Sequence, residues 1–322
     1  MPDPQDAGTL RTKMRLTLYA TLLLCGCFQE VEIRTWAGDA TPRGFNIACW
    51  QRGCLESDDA KRSIERAAAL GARDVALVIT WYVPDGQHGV PSSNPAKSPT
   101  FEELEQATRW AHDRGLKVLF KPHIDRLDGQ SRTTIVPLDL SSWWQAYRAF
   151  ILELATRGQA LGVQSLVVGT ELCDIAPNQG LWRTLIKDVR QRFNGALTYA
   201  ANWDHAECIS FWDALDWVGI DGYYPLAPRE SDTIFDLVWG WEQHLARLRR
   251  LDAIREKPLI MTEVGAPCAD PEAQKRVYGA ALAALRGKAG LFFWNLWEGT
   301  DGGTHGATST CFDTLSNAWS SP

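Results

Sequence analysis

Along most of the chain, short unbroken apolar runs alternate with longer segments whose apolar residues recur every three or four positions. A buried parallel strand reads as continuous apolar sequence. Recurrence at three and four marks a helix with one buried face. Strands are expected at Gly44–Trp50, at Asp74–Thr80 ending on Trp81 and Tyr82, and at Lys117–Lys121 running into Pro122–Asp125. Further strands are expected at Ser165–Glu171, Ala196–Asn202, Trp217–Asp221, Pro258–Glu263 and Gly290–Asn295. Helices are expected over Ser57–Leu70, Ser142–Leu161, Leu181–Phe193, Phe211–Leu215, Thr233–Leu251 and from Asp270 through Leu285. Another opens on the capping box Thr100-Phe-Glu-Glu103 and stops at Gly115. Eight strands alternating with helices predict an α/β protein, a single-domain (β/α)8 TIM barrel rather than an open sheet. Only Thr314–Trp319 is left for the last helix, so irregular closure is expected after strand 8.

The first residues do not follow that pattern. Arg11 and Lys13–Arg15 precede an apolar core of nine residues, Leu16–Leu24. That core is far below the roughly 20 residues of a membrane-spanning helix and fits a signal peptide. It ends in Leu24-Cys25-Gly26-Cys27, similar to a bacterial lipobox, with Cys27 the expected lipidated residue and Cys25 the alternative. Met14 is an alternative start to Met1. The expected organisation is therefore a lipoprotein signal peptide over 1–27, a tether over 28–43 and a catalytic barrel over 44–322. Localisation would be to the cell envelope, with outer-membrane sorting because Phe28 rather than Asp follows Cys27. Membrane contact is expected only through the lipid, and the protein is expected to be a monomer.

Composition narrows the partners. The net charge is −6 with no basic run, which argues against nucleic acid. The chain carries 15 tryptophans, and indole faces suit the axial C–H faces of sugars. The six histidines include no His-x-His or His-Glu-x-x-His pair, so no metal or other cofactor is expected. The Gly-rich stretch Gly299–Gly306 includes Asp301 and follows Glu298, which would repel phosphate, so it is read as a lid. Six cysteines follow Cys27, and an even count in an exported chain favours disulfides. Cys173–Cys208 and Cys268–Cys311 are the expected bridges, from neighbouring loops at one barrel mouth, with Cys49–Cys54 a weaker third.

Two apolar runs end on carboxylates: Ser165-Leu-Val-Val-Gly-Thr-Glu171 and, 92 residues after that glutamate, Pro258-Leu-Ile-Met-Thr-Glu263. Three β-α units of about 30 residues separate strand four from strand seven by that distance. Both glutamates should then face the carboxyl-terminal mouth, about 5–5.5 Å apart, as acid–base hydrolysis of a glycosidic bond with retention requires. The other strand ends offer Trp50, Trp81, Tyr82, His123, Asn202, Trp203, Asp221, Tyr223 and Trp294. Flat apolar platforms with polar groups between them suit a sugar site. A surface-tethered carbohydrate-binding lipoprotein on an inactive barrel is the alternative; it would need the platforms but neither glutamate.

Lys121-Pro-His123, Gly169-Thr-Glu171-Leu172, Ala201-Asn-Trp203, Gly219-Ile-Asp-Gly-Tyr-Tyr-Pro-Leu226 and Thr262-Glu-Val-Gly265 stand in one order between Gly44 and Trp297. In that order the chain resembles the large clan of retaining (β/α)8 glycoside hydrolases, and within it the family 113 β-mannanases. The resemblance implies Glu171 as acid/base, Glu263 as nucleophile and Trp294 as the floor of the subsite at the scissile sugar. It implies a β-linked polysaccharide or oligosaccharide substrate, β-1,4-mannan first. Tyr223 is the expected donor to the nucleophile, and Trp50, Trp81, Tyr82, His123, Asn202 and Trp203 are the remaining expected sugar ligands. Many clan members carry Asn before the acid/base; here that position is Thr170, which leaves Asn202 as a candidate for the sugar 2-hydroxyl.

Overall fold

The computed structural model describes residues 33–36, 40–226, 232–299 and 305–320. Its eight strands form a closed, all-parallel barrel in sequence order, with β1 paired to both β2 and β8. They are β1 Arg43–Ile47, β2 Asp74–Val83, β3 Lys117–Arg126, β4 Ser165–Thr170, β5 Ala196–Asn202, β6 Val218–Asp221, β7 Leu259–Val264 and β8 Ala289–Phe293. The helices are α1 Asp58–Ala69, α2 Phe101–Asp113, α3 Leu140–Leu161, α4 Gln179–Arg190, α5 Ile234–Leu248, α6 Asp252–Glu256, α7 Pro271–Leu285 and α8 Phe312–Ser320. Five of these starts follow from local chemistry. Ser57, Thr100, Asp139, Thr233 and Asp270 accept from backbone N–H groups of the first turn, and Thr100 and Thr233 close full capping boxes.

Alternation along the strands divides two packing regions. Ala76, Leu119, Val167, Ala200, Ile260 and Phe292 point inward and fill the barrel as one layer, while Val75, Val118, Phe120, Leu166 and Val168 belong to the larger core outside it. Interior side chains of a small barrel pack solid, so chemistry has to sit above that layer.

Three expectations change. Between β5 and β6 there is no α-helix; Phe211–Leu215 holds only a 3-10 turn, Trp212–Ala214. Of the stretch read as a tether, Ile33–Trp36 is docked beneath the barrel. Trp36 Nε1 donates to the Leu259 carbonyl at 2.9 Å, its ring meets Trp217 edge-on, and Ile33 is buried. Of the three expected bridges, only the weakest, Cys49–Cys54, forms, with its Cα atoms 6.2 Å apart. Cys173, Cys208, Cys268 and Cys311 are not joined in disulfides. Cys173 is buried while Cys208 is exposed, and the Cys311 thiol is turned to Gln274 Oε1 at 3.3 Å. The lipobox cysteines Cys25 and Cys27 lie outside the described residues, as do 300–304 of the loop read as a lid.

Candidate active site

Above the apolar layer, the inward positions of β3 climb from Leu119 through Lys121 and His123 to Asp125. Lys121 is fully buried, and its ammonium spans the barrel to Asp221 Oδ1 at 2.8 Å and Glu263 Oε1 at 2.5 Å. Thr262 Oγ1 also donates to Asp221 Oδ1, at 2.7 Å. Successive strand residues ordinarily face opposite ways, yet Thr262 and Glu263 both face this cluster. The register supplies the reason. Opposite β6, Ile220 pairs Met261 and Asp221 pairs Glu263, so β7 carries an extra residue, a bulge, at this point. Tyr223 completes the surroundings of Glu263, its hydroxyl donating to Oε2 at 2.7 Å.

β4 carries a similar irregularity: Val167 pairs Thr198 and Thr170 pairs Ala200. Gly169 has no room for a side chain, since a Cβ there would lie 2.6 Å from the Trp182 ring. Immediately beyond, Glu171 has φ of 52°, the left-handed region that non-glycine residues rarely enter. Its N–H donates to the Ala200 carbonyl, and the next N–H, of Leu172, donates to the buried Tyr199 hydroxyl, both at 2.9 Å. These contacts hold an unfavourable backbone in place, as functional turns often require. The carboxylate meets Arg132 Nη1 at 3.2 Å.

The electrostatics of the two glutamates diverge. Glu171 is pushed up to about 8, first by burial and then by the charges of Asp221 and Glu263, with Arg132 and Lys121 pulling the other way. Asp221 is raised to about 6, again by burial first and then by Glu263. His123 is driven well below its usual value by burial and by the nearby Arg132 and Lys121 charges, so its imidazole is neutral. Tyr223 is held well above 10, by burial first and then by Glu263, and remains a proton donor.

Aromatic side chains line the same mouth. Trp294 lies parallel to His123 at 5.8 Å and near Trp50 at 6.2 Å, and packs with Ala48, Val78 and Tyr223. Among the described residues neither His123 ring nitrogen has a hydrogen-bond partner. A cavity of about 410 Å³ opens beside Glu171 and is lined by Trp50, Tyr82, Lys97, Asp125 and Arg132. A larger cavity, of about 580 Å³, lies at the opposite end of the barrel around Arg43, Leu285 and Trp319, away from both glutamates.

Of the residues expected from sequence, Glu263, Tyr223, His123, Trp294 and Trp50 converge here. Tyr82 joins them as part of the cavity wall. Trp81 does not. It stacks on Phe150 of α3 at 4.2 Å and packs against Phe101, on the helix side of the barrel. β2 runs here in unbroken register with β3, without the bulge seen in β7, so Trp81 and Tyr82 face opposite ways and Tyr82 takes the mouth. Asn202 ends β5 with its Oδ1 accepting from the Trp203 N–H at 2.8 Å, while the Trp203 ring meets Tyr224 at 5.9 Å. Among the described residues neither has a hydrogen bond to either glutamate. Sequence reasoning assigned no role to Lys121, Asp125, Arg132 or Thr262. A lysine interrupting the apolar strand Val-Leu-Phe-Lys121 was a readable signal; Arg132, in a loop, carried none. Among the described residues, no group of three or more His, Cys, Asp or Glu side chains could hold a metal ion, and no helix is long and apolar enough to cross a membrane.

The sequence model of Glycoside Hydrolase Family 113 matches residues 45–277. Among solved structures, a GH113 β-1,4-mannanase is similar with TM-score 0.76 and 19% identity, over 88% of this chain and 99% of that one. The GH113 β-mannanase AaManA from Alicyclobacillus acidocaldarius, in complex with ManMIm, is similar with TM-score 0.73 and 23% identity, over 87% and 97%. Thermotoga maritima Cel5A in complex with mannotriose is similar at TM-score 0.62 and 15% identity, over 85% and 97%. No curated protein matches the chain.

Proposed function

The chain belongs to Glycoside Hydrolase Family 113, and from that premise we propose that it hydrolyses β-linked mannan, β-1,4-mannan first, by double displacement with retention of configuration. It is a glycoside hydrolase. One observation carries the assignment of roles. Two glutamates at the same barrel mouth, one after β4 and one in β7, sit in opposite environments: Glu171 raised to about 8, Glu263 surrounded by the Lys121 ammonium and the Tyr223 hydroxyl. Separating two carboxyls in this way assigns one as proton donor and the other as anion.

In the first half of the reaction Glu263 attacks the anomeric carbon from one face, while Glu171 gives its proton to the leaving oxygen. The C–O bond to the leaving sugar breaks as the ester to Glu263 forms. In the second half Glu171, now ionised, takes a proton from water, whose oxygen attacks the same carbon and frees Glu263. The Tyr223 hydroxyl and Lys121 ammonium stay on Glu263 and fix its attacking oxygen. Trp294 gives the sugar a flat apolar floor. His123, neutral, with Nε2 3.5 Å from Glu263 Oε1 and neither ring nitrogen hydrogen-bonded among the described residues, supplies a hydrogen bond to a sugar hydroxyl.

The test is product analysis on mannan, glucan and xylan oligosaccharides, with the first-formed anomer followed by NMR before mutarotation. Retained configuration on mannan is expected. An inverted first product excludes double displacement, and preferential cleavage of glucan or xylan overturns the substrate.

We further propose that the mature protein is an envelope lipoprotein beginning at Cys27 and working as a monomer. Mass spectrometry of the mature amino terminus, with membrane fractionation, is expected to find a diacylglycerol-modified Cys27. An unmodified, soluble amino terminus overturns it.

A further inference from the structure

Among the described residues Arg132 is the one cation that touches Glu171 directly, and it comes from a part of the chain with no strand-end pattern. It lies on the 3-10 turn Arg132–Thr134 between β3 and α3. That turn is braced from several sides. Ser131 Oγ accepts from the Thr133 N–H at 3.3 Å. Arg126 donates to Thr134 Oγ1 at 2.6 Å and to Asp128 Oδ2 at 2.5 Å. The Val136 and Leu138 N–H groups donate to the Gly86 and Gln87 carbonyls at 2.7 and 3.0 Å, tying the segment to the loop after β2. Gly86 is what permits that approach, since a Cβ there would lie 2.7 Å from the Thr134 carbonyl. A cation delivered by so many fixed contacts does not wander as a surface arginine does.

The guanidinium is itself oriented. Its Nε and Nη2 both reach Asp125 Oδ1, at 3.0 and 2.6 Å, leaving Nη1 directed at Glu171 Oε2 at 3.2 Å. Asp125 in turn accepts from Trp50; burial alone would raise it, yet the Arg132 charge and the hydrogen bonds from Arg132 and Trp50 hold it below the usual carboxylate range. Only 16% of the Arg132 side chain is exposed.

We propose that Arg132 is a positioning residue for the acid/base, holding the Glu171 carboxylate in its ionised form for the second half of the reaction. The proposal rests on the reading of Glu171 given above. Its reason is an imbalance of charges. The groups that face Glu171 are Asp221 on β6, Glu263 on β7 and Lys121 on β3, with Tyr199 on β5, Tyr223 after β6 and Cys173 behind it. Burial and the two carboxylates favour the neutral acid that the first half needs. Once Glu171 has given up its proton, the same surroundings oppose its anion. Esterified Glu263 no longer contributes charge, but burial and Asp221 remain. Lys121 is already shared between Asp221 and Glu263, so Arg132 is the donor free to take up the new charge without moving.

The experiment is a titration together with a kinetic split, on the full chain. In protein labelled with 13C at the glutamate carboxyls, the Glu171 signal is identified by its loss in Glu171→Gln and followed with pH in wild type, Arg132→Gln and Arg132→Lys. Removing an arginine at contact distance is expected to raise the Glu171 midpoint by about one unit or more, with Arg132→Lys in between, because an ammonium cannot span Asp125 and Glu171 together. With activated aryl mannosides, where release of the enzyme-bound sugar limits turnover, Arg132→Gln is expected to lower kcat about tenfold or more while kcat/KM falls less. An equal fall in both, with an unmoved midpoint, is what a merely structural role gives and overturns the proposal. Should Arg132→Gln fail to fold, Arg132→Lys decides alone: an unmoved midpoint overturns the proposal. The titration needs no turnover, so a chain inactive on every sugar but showing the shift would sink the mannanase reading and leave the Arg132–Glu171 coupling standing.

Discussion

Two glutamates at the same mouth show how one residue type is given two chemistries. Glu263 lies inside β7, at a bulge, with donors converging on it from β3 and from the turn after β6. Glu171 lies one residue past the end of β4, on a left-handed backbone, with Arg132 against it. Hydrogen bonds and opposite charge favour an anion, whereas burial and like charges favour the neutral acid. The assignment of roles therefore comes from what surrounds each carboxyl, since both runs end on the same Thr-Glu dipeptide.

The strongest way to break the comparison is to remove the anion side. Glu263→Ala is expected to lower kcat on the order of 10⁵-fold, measured with an aryl mannoside, and added azide or formate is expected to restore part of it through the vacated space. Glu171→Ala attacks the other side more gently. General acid–base assistance is worth about 10²–10⁴, so natural oligosaccharides should slow by that range while activated aryl glycosides, which need little protonation, slow far less. A uniform loss across leaving groups counts against Glu171 as the proton donor.

Lys121→Met tests what holds the anion. It leaves Asp221 and Glu263 buried without their shared ammonium, and breaking a buried pair costs about 3–5 kcal/mol. Denaturant unfolding should show that loss, alongside a fall in activity. Tyr223→Phe removes one hydrogen bond to a charged group, worth about 1.5–3 kcal/mol; kcat is expected to fall roughly ten- to a hundredfold with little change in folding stability.

The smallest effect, and the sharpest, is in pH. Glu171 is raised from 4.5 to about 8 in the folded protein, so the proton donor is lost as pH rises through about 8 and the alkaline limb of kcat/KM is expected there. The sign for stability follows. The native state binds this proton more tightly than the unfolded chain, so this group's contribution is full below about 4.5 and declines as pH rises toward about 8. Glu171→Gln, always neutral, should flatten that decline in urea midpoints measured across the window.

The β-α alternation, the barrel and the two carboxylates at one mouth were all legible in the chain, because they rest on local properties: apolar runs, helical spacing, caps, and a charge where a run stops. What stood outside that reach was direction and distance. Trp81 and Tyr82 are neighbours of similar chemistry, and only closure of the barrel settles which one faces α3 and which faces the mouth. Cys173 and Cys208 looked pairable by loop order, but one is buried and the other exposed. The extra residue in β7 that turns both Thr262 and Glu263 inward leaves no mark in the alternation of Leu-Ile-Met-Thr-Glu-Val. Lys121 meets partners 100 and 142 residues away, and Arg132 reaches Glu171 from a braced turn. A sequence pattern reports what each segment prefers within its own few residues. Which charges end up within 3 Å of one another is decided when eight strands close on themselves, and that is where one glutamate becomes the acid and the other the anion.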